Sequence, residues 1–316
     1  MDLFPRSQRG RYRICVSSEN WKINEKPKDS TSVQFERALQ LIDDTEKQRI
    51  LKFFRIEDKK SALLGRLILN SMICSATGIS NKDLVWHRTD KGKPYIDQEC
   101  LESSIEYESV KNISYNISHS GKWVVGASEL NIPVGIDVND IGLRPNCKID
   151  FDADDATEME VNQPIVKKYL KNFSNIFSPL ETEQMKMIRF ESAQRQLQEF
   201  SRYWTCKEAF VKVSGEGFGF DVKRLSFDFS HLPIPEETKY EIPDQLEGSK
   251  QKIKLNVDNK DISYDWDFEV FQLDRNHQCS VALHVYGLSE SQRSSLHPIS
   301  LHLITPLQLI EFLEQQ

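Results

Sequence analysis

The residue types and spacing best suited to chemistry lie in residues 201–221, SRYWTCKEAFVKVSGEGFGFD. Trp204, Glu208 and Lys212 are spaced by four residues, so a helix places them on one face, with Lys207 three residues after Trp204. A carboxylate beside ammonium groups can accept a proton, bind a metal or act on a phosphate. The same pattern is typical of a solvated Glu–Lys pair next to an aromatic core residue, and this segment alone leaves both interpretations open.

A second candidate is Asp137, which lies in the apolar stretch VGIDVND at 134–140. Burying an isolated carboxylate is costly, so an aspartate inside an apolar strand must be paired or bind a metal. The alternative is an aspartate that caps a turn where the strand ends. The segment therefore indicates an ion-paired aspartate, a metal ligand or a local cap.

A third candidate is the basic turn HRTDKGKPYI at 87–96, where Arg88, Lys91 and Lys93 surround Gly92. Three cations on one turn can hold phosphate groups, and arginine can do so through two parallel hydrogen bonds. Such turns are more often merely exposed, and the turn alone does not decide between the two.

A fourth candidate is the segment NISHS at 116–120, in which Ser118 and His119 follow a strand-like pattern. Both side chains can donate and accept hydrogen bonds at a ligand. A single histidine is more often structural than functional, so this signal is weak by itself.

Alternating and helical patterns predict the elements that must position these residues. Ser178-Pro-Leu-Glu181 is a capping box with proline at the first helical position, so a helix should begin there. Gly78 and Gly215 should end the helices before them. The predicted strands are 11–18, 84–89, 134–138 and 225–229, with hairpins over 113–128 and 264–286, and the predicted helices are 44–54, 58–76, 202–213 and one after Thr305-Pro306.

The length of 316 residues suggests two lobes. We place an N-terminal lobe at 1–130, a C-terminal lobe with the metal site at 131–287, and a tail with a short amphipathic helix at 288–316. Residues 141–163 are acidic and poor in apolar residues, which predicts an exposed insertion and leaves open whether it is ordered.

Composition excludes several classes of protein. The formal net charge of −7 argues against general nucleic-acid binding, and no apolar run is long enough to span a membrane. The six cysteines include no closely spaced pair and no set with zinc spacing, which favours free thiols. The N-terminal residues lack the apolar segment of a signal peptide. We therefore expect a cytosolic protein that contacts neither nucleic acid nor membrane, and we expect a monomer.

The order of these motifs resembles one enzyme family over about residues 11–286. A helix with Arg49 is followed by R-T-x-K-G-K-P, Y-N-I-S-H-S, V-G-I-D and W-x-x-K-E-A-F-x-K. This arrangement resembles the surfactin-synthetase type of 4′-phosphopantetheinyl transferase, and within it the eukaryotic aminoadipate-semialdehyde dehydrogenase phosphopantetheinyl transferases. The resemblance implies an α+β fold of two similar, pseudo-twofold-related lobes with the active site in the cleft between them.

The resemblance also implies roles for residues at the matching positions. Coenzyme A would be the co-substrate and Mg²⁺ the cofactor, with Asp137 and Glu208 as metal ligands. Glu208, Lys212, Asp137 and Lys207 would be catalytic. The residues implied to bind coenzyme A are Arg49, Arg88, Thr89, Asp90, Lys91, Gly92, Lys93, Asn116, Ile117, Ser118, His119 and Lys212.

One position departs from the family pattern, because many members carry a second acid two residues after the aspartate and this chain has Asn139. An amide oxygen can still bind a metal, but it adds no charge. The implied reaction transfers phosphopantetheine to a serine of apo acyl or peptidyl carrier proteins, including domains of the fatty-acid synthase and aminoadipate-semialdehyde dehydrogenase types. The alternative is a non-catalytic carrier-protein or nucleotide-binding module that retains the fold. Lys186, Arg189 and Arg195 are candidates for contact with the carrier.

Overall fold

The computed structural model describes residues 3–4, 8–19, 21, 30–141, 149–150, 152, 154–215, 219–232, 245–246, 249–251, 253–294, 296 and 299–316. The chain divides into two compact units. The first comprises Met1–Ile132 with Leu301–Gln316, and the second comprises Pro133–Ser300. Within the described residues, no helix is both long and apolar enough to cross a membrane.

The first unit combines helices with a mixed sheet. Strands β4, β5, β1 and β14 lie side by side in that order, and all neighbours are antiparallel except β1 and β14, which are parallel. Strands β2 and β3 form a separate hairpin. The elements of this unit are β1 (Tyr12–Ser17), α1 (Ser30–Leu39), α2 (Asp44–Leu51), α3 (Ile56–Thr77), β2 (Trp86–Arg88), β3 (Pro94–Ile96), α4 (Gln98–Glu102), α5 (Tyr107–Val110), β4 (Ile113–Ser120), β5 (Trp123–Leu130), β14 (Leu301–Ile304) and α11 (Pro306–Glu314).

Helix α3 forms the centre of the first core. Its apolar residues Leu63, Leu64, Leu67, Ile68 and Met72 are fully buried. The helix ends as predicted at a glycine in the left-handed conformation, where a side chain would be strained. Its approach to the sheet depends on Gly126 of β5, because a Cβ there would lie 2.4 Å from Cγ2 of Ile68.

The second unit is built on an antiparallel sheet in the order β6, β13, β12 and β9, beside a smaller antiparallel sheet in the order β11, β10 and β7. Its elements are β6 (Val134–Asp140), α6 (Asp155–Thr157), a π-helical turn (Glu158–Asn162), α7 (Gln163–Asn172), α8 (Pro179–Met187), α9 (Ala193–Ser214), β7 (Leu225–Asp228), β8 (Gln245–Leu246), β9 (Ser249–Gln251), β10 (Lys254–Val257), β11 (Lys260–Asp261), β12 (Trp266–Asp274), β13 (His277–His284) and α10 (Glu290–Ser294).

Helix α9 is the long helix of the second unit. Its N-terminal cap is Ser192, whose side chain accepts a hydrogen bond from the backbone N–H of Arg195, and Gly215 ends it in the left-handed conformation. Phe200 and Phe210 belong to the aromatic core that also contains Phe227 of β7. The opposite side of the helix faces β6 and is polar, as described below.

The mixed fold class and most predicted elements are confirmed. The capping box at Ser178 has both of its hydrogen bonds, and the hairpin 113–128 turns at Ser120-Gly121 as predicted. One predicted helix boundary is wrong, and one helix was missed. Helix α9 begins about nine residues earlier than 202 because Ser192 supplies a cap. Helix α1 was not predicted, although it buries Phe35 and Leu39 in the core.

The sequence left open whether the acidic segment 141–163 is ordered, and its described residues include a helical stretch. Its residues 142–148, 151 and 153 lie outside the described part of the chain. Residues 155–162 are helical, and Asn162 is fully buried with its amide group donating to Asp150 O and Glu158 Oε2 at 2.7 and 2.8 Å. Buried polar hydrogen bonds hold residues 158–162 to Asp150, and a search for apolar periodicity does not detect such contacts.

Candidate active site

The polar face of α9 brings Glu208 and Lys212 to Asp137 of β6. Lys212 Nζ lies 2.7 Å from Asp137 Oδ1 and also donates to the carbonyl of Ile136 at 3.1 Å. Burial raises the pKa of the Glu208 carboxyl, and the charge of Asp137 raises it further, against a smaller opposing effect of Lys212. The two carboxylates, called here the carboxylate pair, therefore interact electrostatically across the contact between helix and strand.

The carboxylate pair fits a hard divalent cation by the chemistry of its donors. Mg²⁺ takes oxygen ligands, typically one or two carboxylates with phosphate oxygens and water completing the set. A cation would also relieve the repulsion that raises the Glu208 pKa. No group of three or more His, Cys, Asp or Glu side chains with metal-binding geometry occurs among the described residues. The protein would thus supply two charged ligands, and the remaining positions would be left for a substrate.

Asn139 lies on the same face of β6 as Asp137, since residues two apart on a strand point the same way. Its side-chain Nδ2 donates to Ser201 Oγ of α9 at 3.2 Å. The side chain at this position therefore contacts helix α9 two turns before Glu208.

Gly135 allows this close contact between strand and helix. A Cβ at this position would lie 2.1 Å from the backbone carbonyl oxygen of Ala209, the residue next to Glu208. Any larger residue would push β6 away from α9 and separate the carboxylate pair. Sequence reasoning did not assign Gly135 a role, although a glycine inside a strand is itself a signal of close backbone approach.

Lys207 lies on the opposite side of α9, inside the protein. Its ammonium group lies 2.7 Å from Glu181 Oε2 and donates to three backbone carbonyls, those of Ile176, Val222 and Leu225, at 2.9–3.0 Å. Burial lowers the pKa of Lys207, and the charge of Glu181 opposes that shift. This environment differs from the expected one, because the enclosed ammonium contacts structural groups of its own unit rather than the carboxylate pair.

Glu181, the partner of Lys207, completes its own hydrogen bonds within the same interior. Its two oxygens accept from the backbone N–H groups of Ser178 and Phe227 at 2.8 and 2.9 Å. The sequence predicted only the first of these contacts, as part of the capping box. The pair Glu181–Lys207 therefore ties the start of α8, strand β7 and the middle of α9 together.

The first unit contains a second polar cluster, which is centred on Glu46 of α2. Arg49 binds both carboxylate oxygens of Glu46 at 2.7 and 2.9 Å, and Arg88 Nη2 contacts the same two oxygens at 2.8 and 3.0 Å. Burial raises the Glu46 pKa, but the hydrogen bond from Arg49 and the charges of Arg66 and Arg88 outweigh burial and hold it at about 2. Glu46 is therefore ionised at neutral pH and joins two arginines that were predicted from separate segments.

Arg66 of α3 is the third arginine at Glu46, and sequence reasoning missed it. Its Nη2 lies 3.5 Å from Glu46 Oε2, and its guanidinium stacks over the ring of Trp86 at 4.7 Å. Its Nη1 has no hydrogen-bond partner among the described residues, although the residue is only 3% exposed. The available signal was a charged residue within an otherwise apolar helical stripe. Glu46, Arg49, Arg66 and Arg88 are called here the arginine cluster, and it carries a net positive charge.

A pocket of about 210 Å³ opens beside the arginine cluster. The cluster lines it together with Ile117, Ser118 and His119 of β4, and Phe53 and Pro94 add apolar walls. Asn116 lies on the same strand and is mostly buried, with Oδ1 lacking a hydrogen-bond partner within the described part of the chain. The structure therefore brings Arg49 and Arg88 together with Ser118 and His119 in one concave, positively charged site.

The basic turn adjoins this pocket. Arg88 Nη1 donates to the carbonyl of Gly92, and the backbone N–H of Gly92 donates to Thr89 O at 2.7 Å. Gly92 has φ of 81°, a conformation that favours glycine. Asp90, Lys91 and Lys93, which follow Thr89 in the turn, are exposed. The backbone N–H of Lys93 donates to Thr89 Oγ1 at 3.1 Å.

Comparison with known proteins identifies the family. The family described as 4′-phosphopantetheinyl transferase, N-terminal, matches residues 27–131, and the 4′-phosphopantetheinyl transferase superfamily matches residues 133–282. The L-aminoadipate-semialdehyde dehydrogenase-phosphopantetheinyl transferase of Mus musculus is 30% identical over 247 residues, which are 78% of this chain and 68% of that protein.

More distant relatives agree with this result. A phosphopantetheinyl transferase of Thraustochytrium is 27% identical over 263 residues, covering 81% of this chain and 74% of the relative. The 4′-phosphopantetheinyl transferase gsp of Aneurinibacillus migulanus is 22% identical over 187 residues, covering 59% of this chain and 62% of the relative. The resemblance predicted from the sequence motifs is confirmed, and the chain belongs to the 4′-phosphopantetheinyl transferase superfamily.

Proposed function

We propose that this enzyme transfers the 4′-phosphopantetheine group of coenzyme A to a serine of apo carrier proteins with Mg²⁺ bound at Asp137 and Glu208. The observation that carries the proposal is the contact of α9 with β6, where Lys212 Nζ lies 2.7 Å from Asp137 and the charge of Asp137 acts on Glu208. Two carboxylates and one ammonium group in one place suit a reaction at a pyrophosphate. The non-catalytic alternative gains no support from the relatives, which are named as transferases.

The arginine cluster supports a role in holding the donor. Coenzyme A carries a pyrophosphate and a 3′-phosphate, and arginine binds phosphate through charge-assisted hydrogen bonds in a fixed planar geometry. Arg49 and Arg88 line the pocket, and their hydrogen bonds to Glu46, which also lines it, fix their orientation. Ser118 and His119 offer hydrogen bonds beside them, and Asn116, Ile117 and the turn from Thr89 to Lys93 extend the same site.

The proposed reaction breaks one phosphoanhydride bond and forms one phosphoester bond. The serine oxygen of the carrier attacks the β-phosphorus of coenzyme A, its proton passes to Glu208, and adenosine 3′,5′-bisphosphate leaves. Lys212 places a positive charge near the leaving phosphate. Bound Mg²⁺ would neutralise charge on the pyrophosphate as the bond breaks.

Lys207 has a different proposed role. Its ammonium is enclosed by Glu181 and backbone carbonyls, so we assign it as a positioning residue that fixes the rotation of α9 and thereby aims Glu208 at Asp137. This proposal replaces the expectation that Lys207 contacts the reacting groups.

Carrier domains of the fatty-acid synthase and aminoadipate-semialdehyde dehydrogenase types are the proposed protein substrates, and the names of the mammalian relatives include the second type. We further propose that the enzyme acts as a monomer in the cytosol. The five cysteines within the described residues are free and buried, as is usual in a reducing compartment.

The test is intact mass spectrometry of an apo acyl carrier protein after incubation with this enzyme, coenzyme A and Mg²⁺. One phosphopantetheine should be added, and chelation of the metal should abolish the addition. Arg88→Ala should raise the KM for coenzyme A by about tenfold or more while leaving the KM for the carrier unchanged, because one charge-assisted contact is worth roughly 1.5–3 kcal/mol. No mass gain on any apo carrier, with coenzyme A binding intact, would favour the non-catalytic alternative.

A further inference from the structure

Glu46 has more positively charged neighbours than one carboxylate needs. A carboxylate has about four lone-pair positions, and the hydrogen bonds from Arg49 and Arg88 occupy them at 2.7–3.0 Å. Arg66 Nη2 lies 3.5 Å from Glu46 Oε2, which is longer than a charge-assisted hydrogen bond usually is. Arg66 is therefore the weakest of the three partners of Glu46 in this structure.

The three arginines differ in how freely they can move. The side chains of Arg49 and Arg88 are 36% and 34% exposed and line the pocket, so both can turn towards a bound anion. Arg66 is 3% exposed, and its guanidinium lies over the ring of Trp86 at 4.7 Å, which fixes its plane. Arg49 and Arg88 can thus leave Glu46, whereas Arg66 must stay beside it.

Arg66 has hydrogen-bonding capacity that its present contacts do not use. Its Nη1 is buried and has no hydrogen-bond partner among the residues that the structure describes. Burial lowers the pKa of its guanidinium, and Glu46 opposes that shift. Because an unpaired N–H of a charged group is costly to bury, the arrangement indicates that Arg66 gains contacts in another state of the site.

Glu46 is the group that an incoming anion would leave unpaired. Its side chain is 5% exposed, so water cannot readily replace a lost partner. A phosphate group competes with Glu46 for Arg49 and Arg88, because a guanidinium binds either anion through the same N–H groups. Removing the partners of a buried carboxylate is strongly unfavourable.

We propose that Arg66 is a positioning residue that becomes the main counter-ion of Glu46 when phosphate groups of coenzyme A draw Arg49 and Arg88 into the pocket. The inference rests on the proposed function and adds a residue that acts on the donor through Glu46. A shift of less than about 1 Å brings Arg66 Nη2 from 3.5 Å to the roughly 2.7–2.9 Å of a charge-assisted hydrogen bond. Glu46 is then paired in both the empty and the occupied site.

The other charged groups around Glu46 do not replace Arg66 in this role. Asp58 and His119 line the pocket from α3 and β4, and Asp43 at the start of α2 acts electrostatically on Arg66. Both aspartates are acids and cannot balance a carboxylate. Among the arginines that line the pocket, Arg66 is the one that is almost fully enclosed.

The test compares the binding of coenzyme A by the wild type and by variants, without a carrier protein. Arg66→Met removes the charge, Arg66→Lys keeps it, and the double variant Glu46→Gln/Arg66→Met removes both buried charges. The matched control is Arg55→Met, which changes an exposed arginine of the first unit outside the pocket lining. Calorimetric titration between pH 5.5 and 7.5 measures Kd, and steady-state assays measure KM and kcat.

We expect Arg66→Met to raise the Kd and KM for coenzyme A by about tenfold or more at pH 7.5, with kcat and the control unchanged. The ratio of variant to wild-type Kd should shrink towards pH 5.5, because protonation of Glu46 removes the unpaired charge. Arg66→Lys should bind nearly as the wild type does, because an ammonium group can also pair with Glu46. The double variant should regain most of the affinity that Arg66→Met loses.

Wild-type affinity in Arg66→Met would overturn the proposal. A loss in Arg66→Lys as large as that in Arg66→Met, with a Kd ratio that is constant over pH, would overturn it in favour of direct contact between the Arg66 guanidinium and a phosphate. If Arg66→Met does not fold, Arg66→Lys and the double variant still decide, because neither leaves a buried charge unpaired: weak binding by both would overturn the proposal.

Titration with dephospho-coenzyme A separates the two sources of phosphate. An effect of Arg66→Met that disappears with this donor belongs to the 3′-phosphate, and one that persists belongs to the pyrophosphate. A wild type that binds coenzyme A and shows the expected dependence on Arg66, but modifies no carrier, would contradict the proposed function alone. A wild type that binds no coenzyme A would contradict both proposals.

Discussion

Replacing Glu46 by glutamine should destabilise the first unit in a pH-dependent way. The side chain is buried, and its carboxylate joins Arg49, Arg66 and Arg88. Glutamine keeps the size but removes the charge, which leaves the buried Arg66 without its counter-ion. Removing one partner of a buried ion pair is strongly destabilising for this reason.

The magnitude follows from the pKa of Glu46, which falls from 4.5 to about 2 in the folded protein. At about 1.4 kcal/mol per pKa unit, this corresponds to about 3 kcal/mol of stability. A lowered folded pKa means that the contribution is complete above the unfolded pKa and is lost as the pH falls towards 2. The difference in unfolding free energy between wild type and Glu46→Gln should therefore be about 3 kcal/mol at pH 7 and shrink steadily below about pH 4.5.

Urea unfolding between pH 2.5 and 7 measures this difference, and hydrogen exchange of the α2 and α3 peptides assigns it to the first unit. The exposed Glu102→Gln of α4 is the matched control and should unfold as wild type does. A wild-type-minus-variant difference that stays constant across the acid range would refute the reasoning, as would a value near zero at pH 7.

Three further outcomes are expected. Glu208→Gln should remain folded but lose most turnover even at saturating Mg²⁺, because the amide cannot accept the serine proton, whereas high Mg²⁺ should partly restore the turnover of Asp137→Asn. Equal rescue of both variants by Mg²⁺ in steady-state assays would contradict the assignment of Glu208 as the base. Gly135→Ala should lower the free energy of unfolding in urea by about 1–3 kcal/mol and should lower kcat, because its Cβ would lie 2.1 Å from a backbone oxygen. The control Gly219→Ala, which has open space around it, should change neither quantity. Burial lowers the pKa of His277, but the carboxylate of Asp140, 3.6 Å from Nε2, and a hydrogen bond to Asp274 outweigh burial and raise the pKa to about 9. The histidine should therefore add stability below pH 6.5 that is lost as the pH rises through 9, so the wild-type Tm should fall over this range, and that of His277→Gln should not.

The sequence predicted best where one local rule decides the structure. The glycine at 78 ends α3, and the capping box at Ser178 begins α8, because these signals act within one helical turn. It predicted least well where a distant partner decides. Helix α1 is stabilised by packing Phe35 into a core that includes Leu309 and Phe312, which lie far along the chain.

In the candidate site, too, the sequence predicted features within single segments better than contacts between segments. The motifs identified the residues that meet at the pocket and at the carboxylate pair, because each segment carries its own polar signature. They could not show that Glu46 joins Arg49 and Arg88, or that Lys207 points into the core while its neighbour Glu208 faces β6. On a helix, adjacent residues differ by about 100°, so the side of α9 that meets the strand decides which of the two residues lies near Asp137.

The parallel pairing of β14 with β1 has a consequence for the order in which the protein is made. Ile14 pairs with His302, and the last helix packs its Leu309 and Ile310 into the first core. During synthesis, β1 therefore keeps an unpaired edge until residues 301–304 have left the ribosome, whereas Pro133–Ser300 is already complete by then. The first unit, whose residues 1–132 are synthesised first, therefore completes its fold last. Until residues 301–304 pair with β1, the open edge of that strand is a site for incorrect pairing.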